Sequence, residues 1–508
     1  MGRKQYCGSS SSESPTEEVV RGGGGEEISI FIRSPNEGTD GEEEEEEEEE
    51  EEVDEWRTRV EKRLEVVKKY AMKMACPKRK GLPVDMYNDE EIPAISEMHI
   101  EHRPVKAVAI GPYHRGDKVL FTNVDKWRVV RIIAKWYAID PMGYLTRMKE
   151  KEADARMYYS ADLSEFNSES FLELLLVDAC FILFVISTFE DYADGSWSKG
   201  EDGTEYLNLL MDVKVNAKQI KLDLLMLENQ IPFFAIEELL KASTNQANFE
   251  KNLIESQALL FFDDIYPRRD RDKGIRDVDS PRFHHLLHLF HWSRVPRGKY
   301  EFGAASLLFR KTDLTLAIPS ATELRQSATR FRKEVSGSFL DITFENCGVM
   351  KVCGVVKIPT LHILDYSSTI FHNLVAFEKQ YKGSGRCVVA YSACMAHLLQ
   401  SKEDVKLLRK SGILANTNVN DIDAVNLFAS LSEEIGGSLM PDDLHALYSQ
   451  VTKHHRQWRS RWYGETTLQY CPNLWITISV IGALLLFLLT AVQTVYSVLS
   501  YYASLKNK

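Results

Sequence analysis

The chain has 508 residues, 44% of them hydrophobic and 27% charged, and 62 Lys and Arg against 75 Asp and Glu leave a net charge of −13. That length allows two or three domains and a sizeable core. No basic stripe with interleaved aromatics is present, which argues against a nucleic-acid partner, and the eight cysteines lack the two-residue spacing of a zinc site.

Residues 1–54 are rich in Ser, Gly and Glu, with glycine from Gly22 to Gly25 and eleven glutamates from Glu42 to Glu52. Such a stretch cannot bury a core and is expected to be a disordered acidic tail. Its glutamate run accounts for nearly all of the net charge, so the rest of the chain is close to neutral. Met1-Gly2 opens like a myristoylation signal, but Tyr6 stands where Ser or Thr is needed. Met1 to Val20 has no apolar core of the kind a secretory signal requires.

Residues 55–89 are expected to form an amphipathic helix and a linker. Trp56, Val60, Leu64 and Val67 recur at helical spacing from Trp56 to Ala75, a face that packs on the body or pairs with another helix as a coiled coil. Cys76-Pro77 ends it, and Pro77-Lys78-Arg79-Lys80 reads as a solvated loop.

Residues 90–470 read as one large helical body. In VAIGPYHRG, Val108 to Gly116, Gly111 and Gly116 bracket a turn fixed by Pro112. Three-and-four spacing predicts helices over Lys126 to Ala138, Glu169 to Phe189, Ile220 to Lys241, Phe249 to Phe262, Arg282 to Trp292 and Ala321 to Glu334. Leu340 to Phe344 and Val355 to Ile358 read as a small antiparallel β-hairpin. Helices are predicted again over Ile370 to Tyr381, Tyr391 to Leu399, Glu403 to Lys410, Asp421 to Leu431 and from Asp442 onward. The fold class is mainly α.

Within the body the histidine-rich FHHLLHLFHW, Phe283 to Trp292, is the sharpest chemical candidate. On a helix His284, His288 and His291 share one face and can present imidazoles to a metal. The competing reading is a helix with hydrogen-bonded histidines. No cofactor is expected, because nucleophile elbow, Walker loop, kinase signature and dinucleotide fingerprint are all missing. In LENQIPFF, Pro232 interrupts an apolar helix and frees backbone groups that Glu228, Asn229 and Gln230 can satisfy. The same residues could instead line a ligand pocket.

Residues 474–500 are expected to be a transmembrane helix followed by a short tail, 501–508. From Trp475 to Tyr496 the sequence carries no charge, and at about 1.5 Å per residue such a segment reaches about 33 Å. Trp475, Tyr496, Tyr501 and Tyr502 are placed as interfacial rings. Lys453, Arg456, Arg459 and Arg461 precede the segment, against Lys506 and Lys508 after it. That bias predicts a tail anchor with a cytosolic body, in the plasma membrane or an endomembrane. All eight cysteines are then expected to be reduced.

LLLVDACFILFVI at Leu174 to Ile186, DLLMLENQIPFF at Asp223 to Phe234 and VAIGPYHRG together resemble the plant family called domain of unknown function 247, or uncharacterised protein family 0481. HLLHL at His285 to Leu289, SATELRQSATRFR at Ser320 to Arg332, KIPTLHILD at Lys357 to Asp365 and CPNLW before the final apolar segment extend the resemblance over about residues 90 to 500. Ala179, Phe184 and His288 depart from the family pattern, which has Gly, Glu and Asp there. The resemblance implies a helical body closed by one membrane helix and no established enzymatic activity, while some grass members act in self-recognition. The expected function is therefore a non-enzymatic, membrane-anchored interaction or signalling module with an unidentified protein partner. The alternatives are a membrane-tethered enzyme and a cell-surface self-recognition determinant.

Overall fold

A buried helix of twenty residues, Ser168–Ser187, organises the first half of the body. Asn167 caps its N-terminus by accepting from Ser170 N at 2.8 Å, and its apolar residues face inward all round, as expected of a helix surrounded by others. A computed structural model of the protein describes residues 54–68, 105–160, 163–188, 201–243, 253–266, 282–295, 318–335, 338, 340–347, 352–381, 386–415, 419–436, 442–470 and 474–506. The acidic tail, Cys7, Cys76, the Pro77–Lys80 cluster and Cys471 lie outside them.

The chain divides into two units, Met1–Thr58 and Arg59–Lys508. In the first, the described residues are 54–58, one helical turn in which Thr58 Oγ1 donates to the Asp54 carbonyl at 2.9 Å. The second holds the rest. We number its elements from α1, the helix ending at residue 68, through α2 (Asn123–Trp136), α3 (Pro141–Lys149), α4 (Glu152–Arg156) and α5 (Ser168–Ser187). Then come α6 (Glu201–Val215), α7 (Ala217–Asp223), α8 (Phe233–Lys241), α9 (Leu253–Phe261), α10 (Leu286–Arg294) and α11 (Ala321–Gln326). Three strands follow, β1 (Thr329–Glu334), β2 (Thr343–Cys347) and β3 (Cys353–Pro359). The remaining helices are α12 (Ser367–Gln380), α13 (Cys387–Leu398), α14 (Lys402–Lys410), α15 (Asp421–Ile435), α16 (Asp442–Arg456), α17 (Trp458–Tyr470) and α18 (Leu474–Lys506).

α5 packs against α2, α3, α8 and α9, and Arg59 donates to Glu169 at its start at 2.7 Å. α10 joins this group to a second one, in which α12, α13, α14 and α15 pack together. The architecture is mainly helical, as the sequence predicts.

Several expected elements differ. The sheet is mixed and three-stranded, in the order β1-β3-β2. β2 and β3 form the expected antiparallel pair, with Cys347 opposite Cys353, but β1 adds to β3 in parallel with Thr329 opposite Gly354. The helix expected over Ala321 to Glu334 therefore stops at Gln326, where Ala328 turns at φ 55° and the chain becomes a strand. The helix expected over Ile220 to Lys241 is broken between Asp223 and Phe233 into α7 and α8.

α18 runs for 33 residues, about 50 Å. Both α5 and the stretch Ile478–Ala503 of α18 are long and apolar enough to cross a membrane, but most of α5 is buried within the body and none of the Ile478–Ala503 window is.

Candidate functional site: a buried polar knot

The break between α7 and α8 creates a dense polar cluster within the body. When α7 ends at Asp223, its last carbonyls lose their helical partners and must be satisfied elsewhere. Asn229 and Gln230 supply the donors. Asn229 Nδ2 donates to the carbonyls of Asp223 (2.9 Å) and Val108 (3.1 Å), and Gln230 Nε2 donates to those of Leu224 (2.7 Å) and Met226 (2.8 Å). On its other side Gln230 Oε1 accepts from Leu287 N at 3.3 Å, which ties the break to the first turn of α10.

A second segment, residues 105–111, threads across this break outside the described sheet, its Lys106 and Ala107 carbonyls accepting from Leu120 N and Phe121 N. Its backbone donors go to side chains instead. Asp223 Oδ2 accepts from Lys106 N, Ala107 N and Val108 N at 3.2, 2.6 and 3.0 Å, and Asp223 Oδ1 from Gln219 Nε2 at 2.8 Å. Ile110 N donates to Asn229 Oδ1 at 2.6 Å. Gly111 N donates to Asp178 Oδ2 at 2.7 Å, and Lys126 Nζ reaches both Asp178 Oδ1 and the Ala109 carbonyl. Gly111 adopts φ +74° and lies so close to the break that a Cβ there would stand 2.5 Å from the Gln230 carbonyl oxygen.

Asp178, Asp223 and Asn229 are all buried. Burial raises the carboxyl pKa of Asp178 above its ordinary value, opposed by the charge and hydrogen bond of Lys126 and by the Gly111 N–H. Burial likewise raises that of Asp223, opposed by the backbone donors of Ala107, Val108 and Lys106 and by Gln219. Perturbed buried acids mark catalytic clefts as well as structural networks. In this one Asp178, Asp223, Asn229 and Gln230 each hold backbone groups in place. Glu228, by contrast, sits at the rim with its side chain 22% exposed and its carboxylate 3.9 Å from His114 Nε2.

The histidines are arranged differently from the metal-binding expectation. α10 begins at Leu286, so His284 precedes it and His285 is its N-cap, accepting from His288 N at 3.2 Å. His288 Nδ1 accepts from His284 N at 3.1 Å, and the two rings stack with centroids 5.1 Å apart. His291 turns away and its Nε2 meets Glu378 Oε1 at 2.6 Å. Both Glu378 oxygens also cap the start of α13, accepting from Val388 N (2.9 Å) and Val389 N (2.8 Å). Burial, with the neighbouring histidines, pushes the His288 pKa down to about 2. Among the described residues no group of three or more His, Cys, Asp and Glu is arranged to hold a metal ion.

Asp178 and Asp223 stand out in the sequence only as carboxylates among long apolar runs, where the usual role is a cap or a satisfied acceptor, and spacing does not single out Lys126 or Glu378. Their partners are distant in sequence, and a charged residue inside an apolar run is the one available sign.

A helical body knotted by buried amides and carboxylates, followed by a long exposed apolar helix, defines the class. The family of plant proteins of unknown function called DUF247 matches residues 97–489, and the chain belongs to it. A UPF0481 protein of Arabidopsis thaliana is 25% identical over 421 residues, covering 78% of this chain and 83% of that protein. A second, putative UPF0481 protein of the same plant is 24% identical over 181 residues, 35% of this chain and 32% of its own length. No solved structure matches the chain.

Proposed function

We propose that this protein is a membrane-tethered recognition platform, held to the bilayer by α18 with its body in the cytosol, and that it acts by binding a protein partner. The observation that carries the reading is the contrast between its two long apolar helices. α5 is covered by the body, whereas from Ile478 to Ala503 α18 is covered by none of it. An apolar helix of this length left bare in water costs far more than one placed in hydrocarbon. Lys453, Arg456, Arg459 and Arg461 ahead of α18 favour the cytosolic side for the body. The commitment of Asp178, Asp223, Asn229 and Gln230 to backbone groups supports binding over catalysis.

Alkaline carbonate extraction and protease protection of intact microsomes, with tags at both ends, test this. The expected result is a chain that resists carbonate, a digested body and a protected C-terminal tag. Release by carbonate overturns the anchor, and a protected body overturns the orientation.

A further inference from the structure

We propose that the elbow between α16 and α17 binds the phosphate headgroup of an anionic phospholipid, a site that rests on α18 being the membrane anchor. The two helices are separated by one residue, Gln457, and at that bend a groove of about 380 Å³ is lined by Ser449, Thr452, Lys453, Arg456 and Gln457. The spacing places Ser449, Thr452, Lys453 and Arg456 on one face of α16. Thr452 is 9% exposed, and its Oγ1 is buried without a hydrogen-bond partner among the described residues. A buried hydroxyl left in that state calls for a ligand atom. Lys453 and Arg456 are exposed beside it and form no ion pair among the described residues. α17, thirteen residues long, starts at the same bend, and a helix N-terminus favours an anion. A phosphate held there accepts from the Thr452 hydroxyl, the Arg456 guanidinium and the Lys453 ammonium together.

The attitude of α17 brings this groove to the bilayer. On one face, Ser460 is buried and Gly464 is pressed so tightly that a Cβ would stand 2.1 Å from the Gln326 carbonyl oxygen and 2.5 Å from Ala328 N. The opposite face carries Trp458 and Trp462, 70% and 64% exposed, with Tyr463 beside them. Exposed indole rings are interfacial anchors. Between Ser449 and Thr467 four Lys and Arg stand against the single carboxylate Glu465, a balance that attracts an anionic leaflet. Only Cys471 to Asn473 separate α17 from α18, so the end of α17 lies within about 14 Å of the start of the anchor. A helix tethered that closely, with aromatics on its free face, lies along the membrane surface and carries the elbow to headgroup depth.

The test titrates the full-length chain in dodecylmaltoside micelles with dioctanoyl phosphatidic acid, dioctanoyl phosphatidylcholine and inorganic phosphate. Saturable binding of phosphatidic acid is expected, weakened at least tenfold in the double variant Lys453→Ala/Arg456→Ala and severalfold in Thr452→Val, which keeps the side-chain shape. Equal binding of the choline lipid, equally tight binding of inorganic phosphate, or no saturable binding each overturns the site. Carbonate extraction of the same chain from microsomes reads the anchor separately: release overturns the anchoring, whereas a retained chain that ignores phosphatidic acid overturns the headgroup site alone.

Discussion

Replacing Asn229 by Ala removes three hydrogen bonds at the centre of the body, one accepted from Ile110 N and two donated to the Val108 and Asp223 carbonyls. The side chain is fully buried, so no water replaces it. An orphaned buried N–H costs roughly 1–3 kcal/mol, and the two carbonyls, each with a second lone pair, cost less. With the small void left behind, the sum is roughly 3–5 kcal/mol. A body of roughly 400 residues unfolds with about 0.8 kcal/mol/K of entropy near its midpoint, so the melting temperature should fall by about 4–6 °C. Glu228→Ala is the matched control. Its target is the neighbouring residue of the same motif, but that side chain is partly solvated at the rim and removing it should cost less than about 1 kcal/mol. Thermal unfolding of the full-length chain in detergent micelles, followed by tryptophan fluorescence, separates the two. If Asn229→Ala melts with the wild type, or Glu228→Ala costs as much, the knot does not hold the fold as argued.

Lys126→Met leaves the buried Asp178 carboxylate without its cation and should destabilise by about 3–5 kcal/mol, with much of that recovered in Lys126→Met/Asp178→Asn, as melting curves will report. Gly111→Ala combines positive φ with a Cβ 2.5 Å from the Gln230 carbonyl, and should lower the melting temperature more than Gly116→Ala, where the space is open. His288 is neutral when folded, with its pKa near 2, but takes a proton near pH 6.5 when unfolded. Stability is therefore lost as pH falls below about 6.5, by about 2 kcal/mol near pH 5. Urea titrations of wild type and His288→Phe at about pH 7.5 and pH 5 check this, since the variant should show less of the loss.

The helices that the sequence makes legible are those whose apolar period is set by burial along the whole element. Asp421 to Leu431 reads correctly as part of α15 for that reason. Ala321 to Glu334 misleads because Ala321, Leu324, Ala328 and Phe331 happen to fit helical spacing, while the strand after Ala328 depends on pairing with β3, some 25 residues on. A nonlocal partner leaves no local trace. The histidines mislead in a related way. Spacing assumes that a helix already exists at His284, whereas His285 acts as the cap and the helix begins after it. Within LENQIPFF the break at Pro232 is legible, but which side chains fill it is not. Asn229 and Gln230 turn inward and Glu228 outward only because residues 105–111 cross on one side, a contact more than a hundred positions away.

Four of the stretches by which the chain resembles its family, VAIGPYHRG, LLLVDACFILFVI, DLLMLENQIPFF and HLLHL, meet in one place, where polar side chains of two of them hold the backbone of the other two. Asp223 and Asn229 hold residues 106–110, Asp178 holds Gly111, and Gln230 holds Leu287 at the start of α10. Each of these separated motifs requires the others to avoid orphaned donors in the core. A fold secured this way frees its surface to vary. On the proposed reading, specificity belongs outside the knot, on faces such as that of Trp458 and Trp462, where a substitution spares the contacts that hold the core.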